Sequence, residues 1–162
     1  MGIGLTKILQ VKIPVTNLQR SVSWYVSLLD LELAAEFVEH GVLRGVALVD
    51  RDGEYTIALR DREVCASQPN LAGYDLIGLG LASAHGLQRL IERCDRFGVA
   101  HGEIEDRGLN RLAVDVPDPD GTVLRFIYAG DNVPDHFVGV ESGDDGQVSL
   151  YHTPTMAVKK LA

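Results

Sequence analysis

Cysteine is scarce in this chain. Cys65 and Cys94 are the only two among 162 residues, and neither stands in a CxxC or Cys/His ligand spacing. Cys94 falls on the apolar face of a predicted helix, where a free thiol behaves as a small hydrophobe, and two lone cysteines fit a reducing compartment. Long hydrophobic runs are missing too. No stretch approaches the roughly 20 apolar residues needed to span a bilayer, which excludes a helical membrane protein. The opening residues MGIGLTKIL lack a charged region followed by a long apolar run, so no signal peptide is expected and the cytoplasm is the expected location. Basic residues are outnumbered, 15 Lys and Arg against 23 Asp and Glu, for a net charge of −8. Without clustered cations to displace counterions, nucleic acid is excluded as a partner. No nucleophile–base constellation stands out. Ser21 and Ser23 lie on a helix, where capping or exposure is expected. Asp118 and Asp120 belong to a turn that wants Asp, Pro and Gly for backbone reasons. His40 and His101 read as strand-end or loop residues, His85 as a helix-start residue that caps or faces solvent, and His136 and His152 as tail residues.

What the chain does have is a repeat. ILQVKIPVTNLQRSVSWYVSLL begins at Ile8 and YDLIGLGLASAHGLQRLIERC at Tyr74, 66 residues later, and each reads as a strand followed by a helix. In the first copy, Lys7 to Val15 alternates with period two, and Thr16 or Asn17 can cap the helix that follows. That helix places Leu18, Val22, Tyr25, Leu28 and Leu29 on one stripe. Strands are predicted over Leu31–His40, Val42–Asp50 and Tyr55–Asp61, with turns at Gly41 and Asp52-Gly53. In the second copy, Leu76 to Leu81 is a strand, and Leu87, Leu90, Ile91 and Cys94 stripe the next helix, which should stop at Gly98. Arg111–Val116 and Thr122–Tyr128 flank the turn at 117–121. The pattern predicts an α+β fold of two βαβββ modules, 7–63 and 75–130, joined by a linker at 64–74 within a domain spanning 1–130. Residues 131–162 form an extension in which Asp144-Asp145-Gly146 can turn a hairpin, and the end near Lys159 and Lys160 reads as frayed.

QVKIPVTNLQRSVSWYVSLLDLEL, LASAHGLQRLIERCDRFGVAHGEIED and VPDPDGTVLRF, in that order, resemble the vicinal oxygen chelate superfamily, the glyoxalase/bleomycin-resistance/dioxygenase family. The resemblance covers residues 7 to 130. It implies paired βαβββ modules curled into a half-barrel cavity and, in the metal enzymes, a divalent ion held from four strands. The first-strand ligand, His or Gln there, falls on Gln10. The fourth-strand carboxylate position falls on Ala58, the fifth-strand His on Leu76 and the eighth-strand Glu on Arg125. Gln10 and Leu76 are equivalent in the two repeats, as are Ala58 and Arg125.

A divalent ion needs several N, O or S donors, and this set offers one neutral amide. Arg125 adds a fixed positive charge. At 5 Å and an effective dielectric near 20, two unit charges repel by roughly 3 kcal/mol, and a divalent ion doubles that. Shifting the fifth strand by one residue would offer Asp75, yet it would turn Ile77, Leu79 and Leu81 out of the core. No metal and no other cofactor is therefore expected. The inferred cavity face carries Gln10 and Lys12 on the first strand, Thr56, Ala58 and Arg60 on the fourth, Leu76, Gly78 and Gly80 on the fifth, and Val123, Arg125 and Ile127 on the last. Gly78 and Gly80 make room for a ligand or for packing. Arg60 and Arg125 are read either as a fork for a carboxylate, phosphate or enolate-like oxygen, or with Arg125 paired to an internal acid such as Glu36 or Glu103.

The expected function is metal-independent binding of a small molecule, anionic or antibiotic-like, with Gln10, Lys12, Thr56, Arg60, Leu76, Gly78 and Arg125 as ligand-binding candidates and no assigned catalytic residue. The alternative is a divalent-metal-dependent lyase, isomerase or extradiol-dioxygenase-like enzyme with a non-standard metal set around Gln10. A third is a regulatory or scaffold member in which only pairing matters. The family resemblance also implies a homodimer.

Overall fold

Alternation and helical periodicity segregate the apolar side chains onto one face of each element, and the structure stacks those faces into one core. The computed structural model describes residues 3–131, 137–144 and 148–157. Module one runs β1 (Val11–Val15), α1 (Leu18–Leu29), β2 (Glu32–Glu39), β3 (Val42–Val49) and β4 (Thr56–Asp61), with a short 3-10 turn at Arg62–Val64. Module two runs β5 (Asp75–Gly80), α2 (Ala84–Phe97), β6 (Glu105–Asp106), β7 (Arg111–Pro117) and β8 (Val123–Ala129). A hairpin of β9 (Gly139–Ser142) and β10 (Val148–Tyr151) follows. Its predicted turn overlaps residues 145–147, and these, with His136, Lys159 and Lys160, lie outside the described residues.

The two modules carry the same topology. The sheets are ordered β1-β4-β3-β2 and β5-β8-β7-β6, each with one parallel pair inside an otherwise antiparallel ladder. Register repeats with them: Lys12 pairs with Ala58, and the equivalent Gly78 pairs with Arg125. β1 and β5 are both edge strands, with no ladder between them.

Three details correct or sharpen the sequence reading. The first strand begins at Val11 instead of Lys7, because its partner β4 begins at Thr56 and the ladder opens at Val11–Ile57. Asn17 is the cap of α1, its side chain accepting from the Arg20 N–H at 3.0 Å, while Thr16 bonds Asp120 of the opposite module. Ser21 is fully buried instead of capping or exposed. Its hydroxyl is the one buried side-chain polar atom without a partner among the described residues, while Ser23 back-bonds the Gln19 carbonyl at 2.9 Å.

Helix α1 buries Tyr25 and Leu28, and α2 buries Leu87, Leu90 and Cys94. These pack with Ile13, Leu48, Ile57, Val116, Leu124 and Phe126 of the sheets into a single cluster drawn from both modules. Gly98 ends α2 at φ 65°, a left-handed conformation that a side chain would disfavour. The 117–121 turn ties the modules together. Asp118, 5% exposed, accepts a bond from the Tyr25 hydroxyl at 2.9 Å and from the backbone N–H groups of Asp120 and Thr122, both at 2.9 Å. Asp120 takes the Thr16 N–H at 3.0 Å, the Thr16 hydroxyl, and Arg20 at 3.3 Å.

Candidate functional site

Between the modules lies a cavity of about 700 Å³. The approach to β1 and the start of β4 form one wall, β5 and Phe126 the floor, and the end of α1 with one face of α2 the other wall. Its surface is chiefly apolar, as a small-molecule pocket's usually is. Gly80 lines it, and a Cβ built there would meet nothing within 4 Å, whereas one at Gly78 would come 3.2 Å from Ile127 Cδ1.

Three of the seven sequence candidates, Gln10, Thr56 and Gly78, line this cavity; Lys12, Arg60, Leu76 and Arg125 do not. Lys12 is exposed on β1. Leu76 sits at an irregularity of the β5–β8 register and packs against the core cluster. Arg60 pairs with Glu39 at 2.7 Å. Arg125 is held on two sides. Its Nε and Nη2 each donate to an oxygen of Asp115 at 2.8 Å, and Nη1 pairs with Asp75. The predicted partners Glu36 and Glu103 are replaced by these two because Asp115 lies directly opposite Arg125 in the β7–β8 ladder and Asp75 starts the neighbouring strand. Both guanidiniums of the anticipated fork are thus already neutralised within the chain.

The family's metal-ligand positions can be tested directly. Ala58 is a buried methyl group, Leu76 an isobutyl, Arg125 a neutralised cation, and Gln10 an exposed amide preceding β1. This donor set does not fit a divalent ion. Among the described residues no three His, Cys, Asp or Glu side chains converge on a point where a metal ion could be held. His101 bonds Asp95 at 3.2 Å and the Gly102 carbonyl at 2.8 Å, which raise its pKa and fasten the segment after α2.

The Arg125 hydrogen bonds hold the Asp115 carboxyl below the usual carboxylate range, against partial burial. A depressed folded-state pKa contributes stability above the ordinary carboxylate value, lost as pH falls through the folded value. Arg125→Met should therefore cost about 1 kcal/mol at pH 7, modest because both partners are about a third exposed. The difference from the parent should shrink toward pH 3, as urea midpoints at the two pH values would record.

Sequence reasoning missed Arg89 and Arg93, which reach the cavity from α2. Their signal is two cations one helical turn apart flanking the buried Leu90, yet only the placement of α2 against β5 gives it meaning.

Paired βαβββ modules around an inter-module cavity define the class. The chain belongs to the Glyoxalase/Bleomycin resistance protein/Dioxygenase superfamily, whose family model matches residues 7–126. The fold is similar to that of TnmS3, an antibiotic binding protein from Streptomyces sp. CB03234, with TM-score 0.66 and 15% identity over 80% of this chain and 100% of that one. It is similar to the fosfomycin resistance protein FosX from Listeria monocytogenes, with TM-score 0.61 and 12% identity over 78% and 96%. Lactoylglutathione lyase from Agrobacterium tumefaciens is similar at TM-score 0.62 and 13% identity over 76% and 94%. At these identities the likeness is one of fold. No protein of curated function matches the sequence. No helix among the described residues is long and apolar enough to cross a membrane.

Proposed function

We propose that this protein captures a small molecule, anionic or antibiotic-like, in the inter-module cavity without help from a metal ion. The observation that carries the reading is Arg125 at the eighth-strand ligand position, where its guanidinium bonds Asp115 and Asp75. A cation already satisfied there competes with any divalent ion, and three of the four ligand positions supply no donor. The apolar cavity between the modules supports retention of a binding role, since burial of apolar area supplies affinity and a few polar groups fix orientation. TnmS3, an antibiotic binding protein, is built on a similar fold. Protein purified without chelator is expected to hold well under one equivalent of Zn, Ni, Fe or Mn, and Gln10→Ala to leave that content unchanged. Stoichiometric metal lost in Gln10→Ala would overturn the reading in favour of a metal enzyme.

A homodimer belongs to the same proposal. Leu33, Phe37, Val38, Val42 and Leu43 stand exposed on β2 and β3, an apolar surface that suits a second copy. The mass in solution by sedimentation equilibrium should be twice that of the chain.

A further inference from the structure

The cavity's charge is one-sided. Among the described residues, Arg89 and Arg93 are the only charged ones that line it, with no Asp or Glu, in a chain whose net charge is −8. They stand four residues apart on α2 and so share a face. Their freedom differs. Arg93 donates through Nε and Nη2 to the Ser27 carbonyl at 3.0 and 2.7 Å, lies 5.9 Å from the centre of the Phe97 ring, and has an Asp30 oxygen at 3.9 Å. It is fixed in place. Arg89 is exposed and makes no hydrogen bond or ion pair among the described residues. Its fork of donors is available to a ligand. The surfaces next to them are hydrocarbon: Leu79, Leu81, Leu90 and Phe126, with the gap left by Gly80.

Resting on the reading above, we propose that the occupant is an amphiphilic monoanion, an apolar body with one carboxylate head group, and that Arg89 is the residue that binds the head. A guanidinium matches a carboxylate through two parallel hydrogen bonds, which an ammonium or a hydroxyl on the ligand cannot accept in the same way. Arg93, already fastened, adds its field beside Arg89. The hydrocarbon body takes the floor beside Gly80, in a cavity whose volume of about 700 Å³ lies within the range of small-molecule pockets. Head-group recognition therefore sits on α2, away from Arg60 and Arg125.

The test is calorimetric titration of the full chain with three probes sharing one body: decanoate, 1-decanol and decylammonium. Decanoate should bind about tenfold more tightly than either of the others. Arg89→Gln should erase that advantage while leaving 1-decanol unchanged, Arg60→Gln should leave all three unchanged, and Gly80→Leu should weaken all three. Decanoate and 1-decanol binding equally to the parent, or an advantage that survives Arg89→Gln or vanishes in Arg60→Gln, would overturn the head-group assignment while the cavity reading stands. Binding by none of the three, or binding untouched by Gly80→Leu, would overturn the cavity reading itself.

Discussion

Asp118→Ala is expected to destabilise the protein by about 3 kcal/mol, a fall in melting temperature of roughly 6–12 °C. The carboxylate is almost completely buried and accepts three hydrogen bonds, from the Tyr25 hydroxyl and the N–H groups of Asp120 and Thr122. Alanine leaves all three donors without an acceptor, and Tyr25 has no exposure through which water could substitute. Asn at this position keeps an acceptor for the two N–H groups and can donate to the Tyr25 oxygen, so Asp118→Asn should lose only about 1 kcal/mol. The pH dependence has a definite sign. Burial raises the Asp118 pKa above the usual carboxylate range, outweighing the bonds that favour the charged form. A raised folded-state value means this group's contribution is complete below the ordinary carboxylate pKa and is lost as pH rises through the folded one. The gap between parent and Asp118→Ala should therefore be widest in acid and narrow toward neutrality, the reverse of the trend for Arg125→Met. Urea unfolding across that range measures both.

Leu124→Ala is the second large effect, at about 3 kcal/mol. Leu124 has no exposed surface, and its neighbours in the ladders are Ile77 and Val116. Truncation removes buried hydrocarbon and leaves a hole that packed neighbours on both modules fill only in part. The next residue, Arg125, points to the opposite face, and its loss should cost about a third as much. Equal effects at 124 and 125 in urea unfolding would contradict this assignment of the two faces of β8.

The contrast between those neighbours shows what a sequence can carry. Period-two alternation separates Leu124 and Phe126 from Arg125, and helical spacing picks out Tyr25, Leu28, Leu87, Leu90 and Cys94, because each signal is local and set by burial of one face. The repeat of 66 residues supplied the pairing of modules, and the matched register of Lys12–Ala58 and Gly78–Arg125 follows from it. Partners across a ladder were not legible. Glu36, Glu103 and Asp115 are equally acidic on paper, and only the β7–β8 register brings Asp115 opposite Arg125. Ser21 escaped for a related reason, since its hydroxyl marks it as polar while its place on the stripe of α1 buries it. Arg89 and Arg93 carry no signal of a site in the local sequence. Their role depends on how one module lies against the other, a long-range outcome that no single helix encodes.

β1 and β5 both border the cavity as edge strands with no ladder between them, and polar ties between the modules lie at the 117–121 turn and where Arg93 meets Ser27. Parting those edges breaks no β-ladder hydrogen bond, but the Tyr25–Asp118 bond and the Arg93–Ser27 bonds hold the modules on either side. The cavity is bordered there by side chains in place of a continuous ladder, so a substitution on either edge reshapes it without disturbing strand pairing.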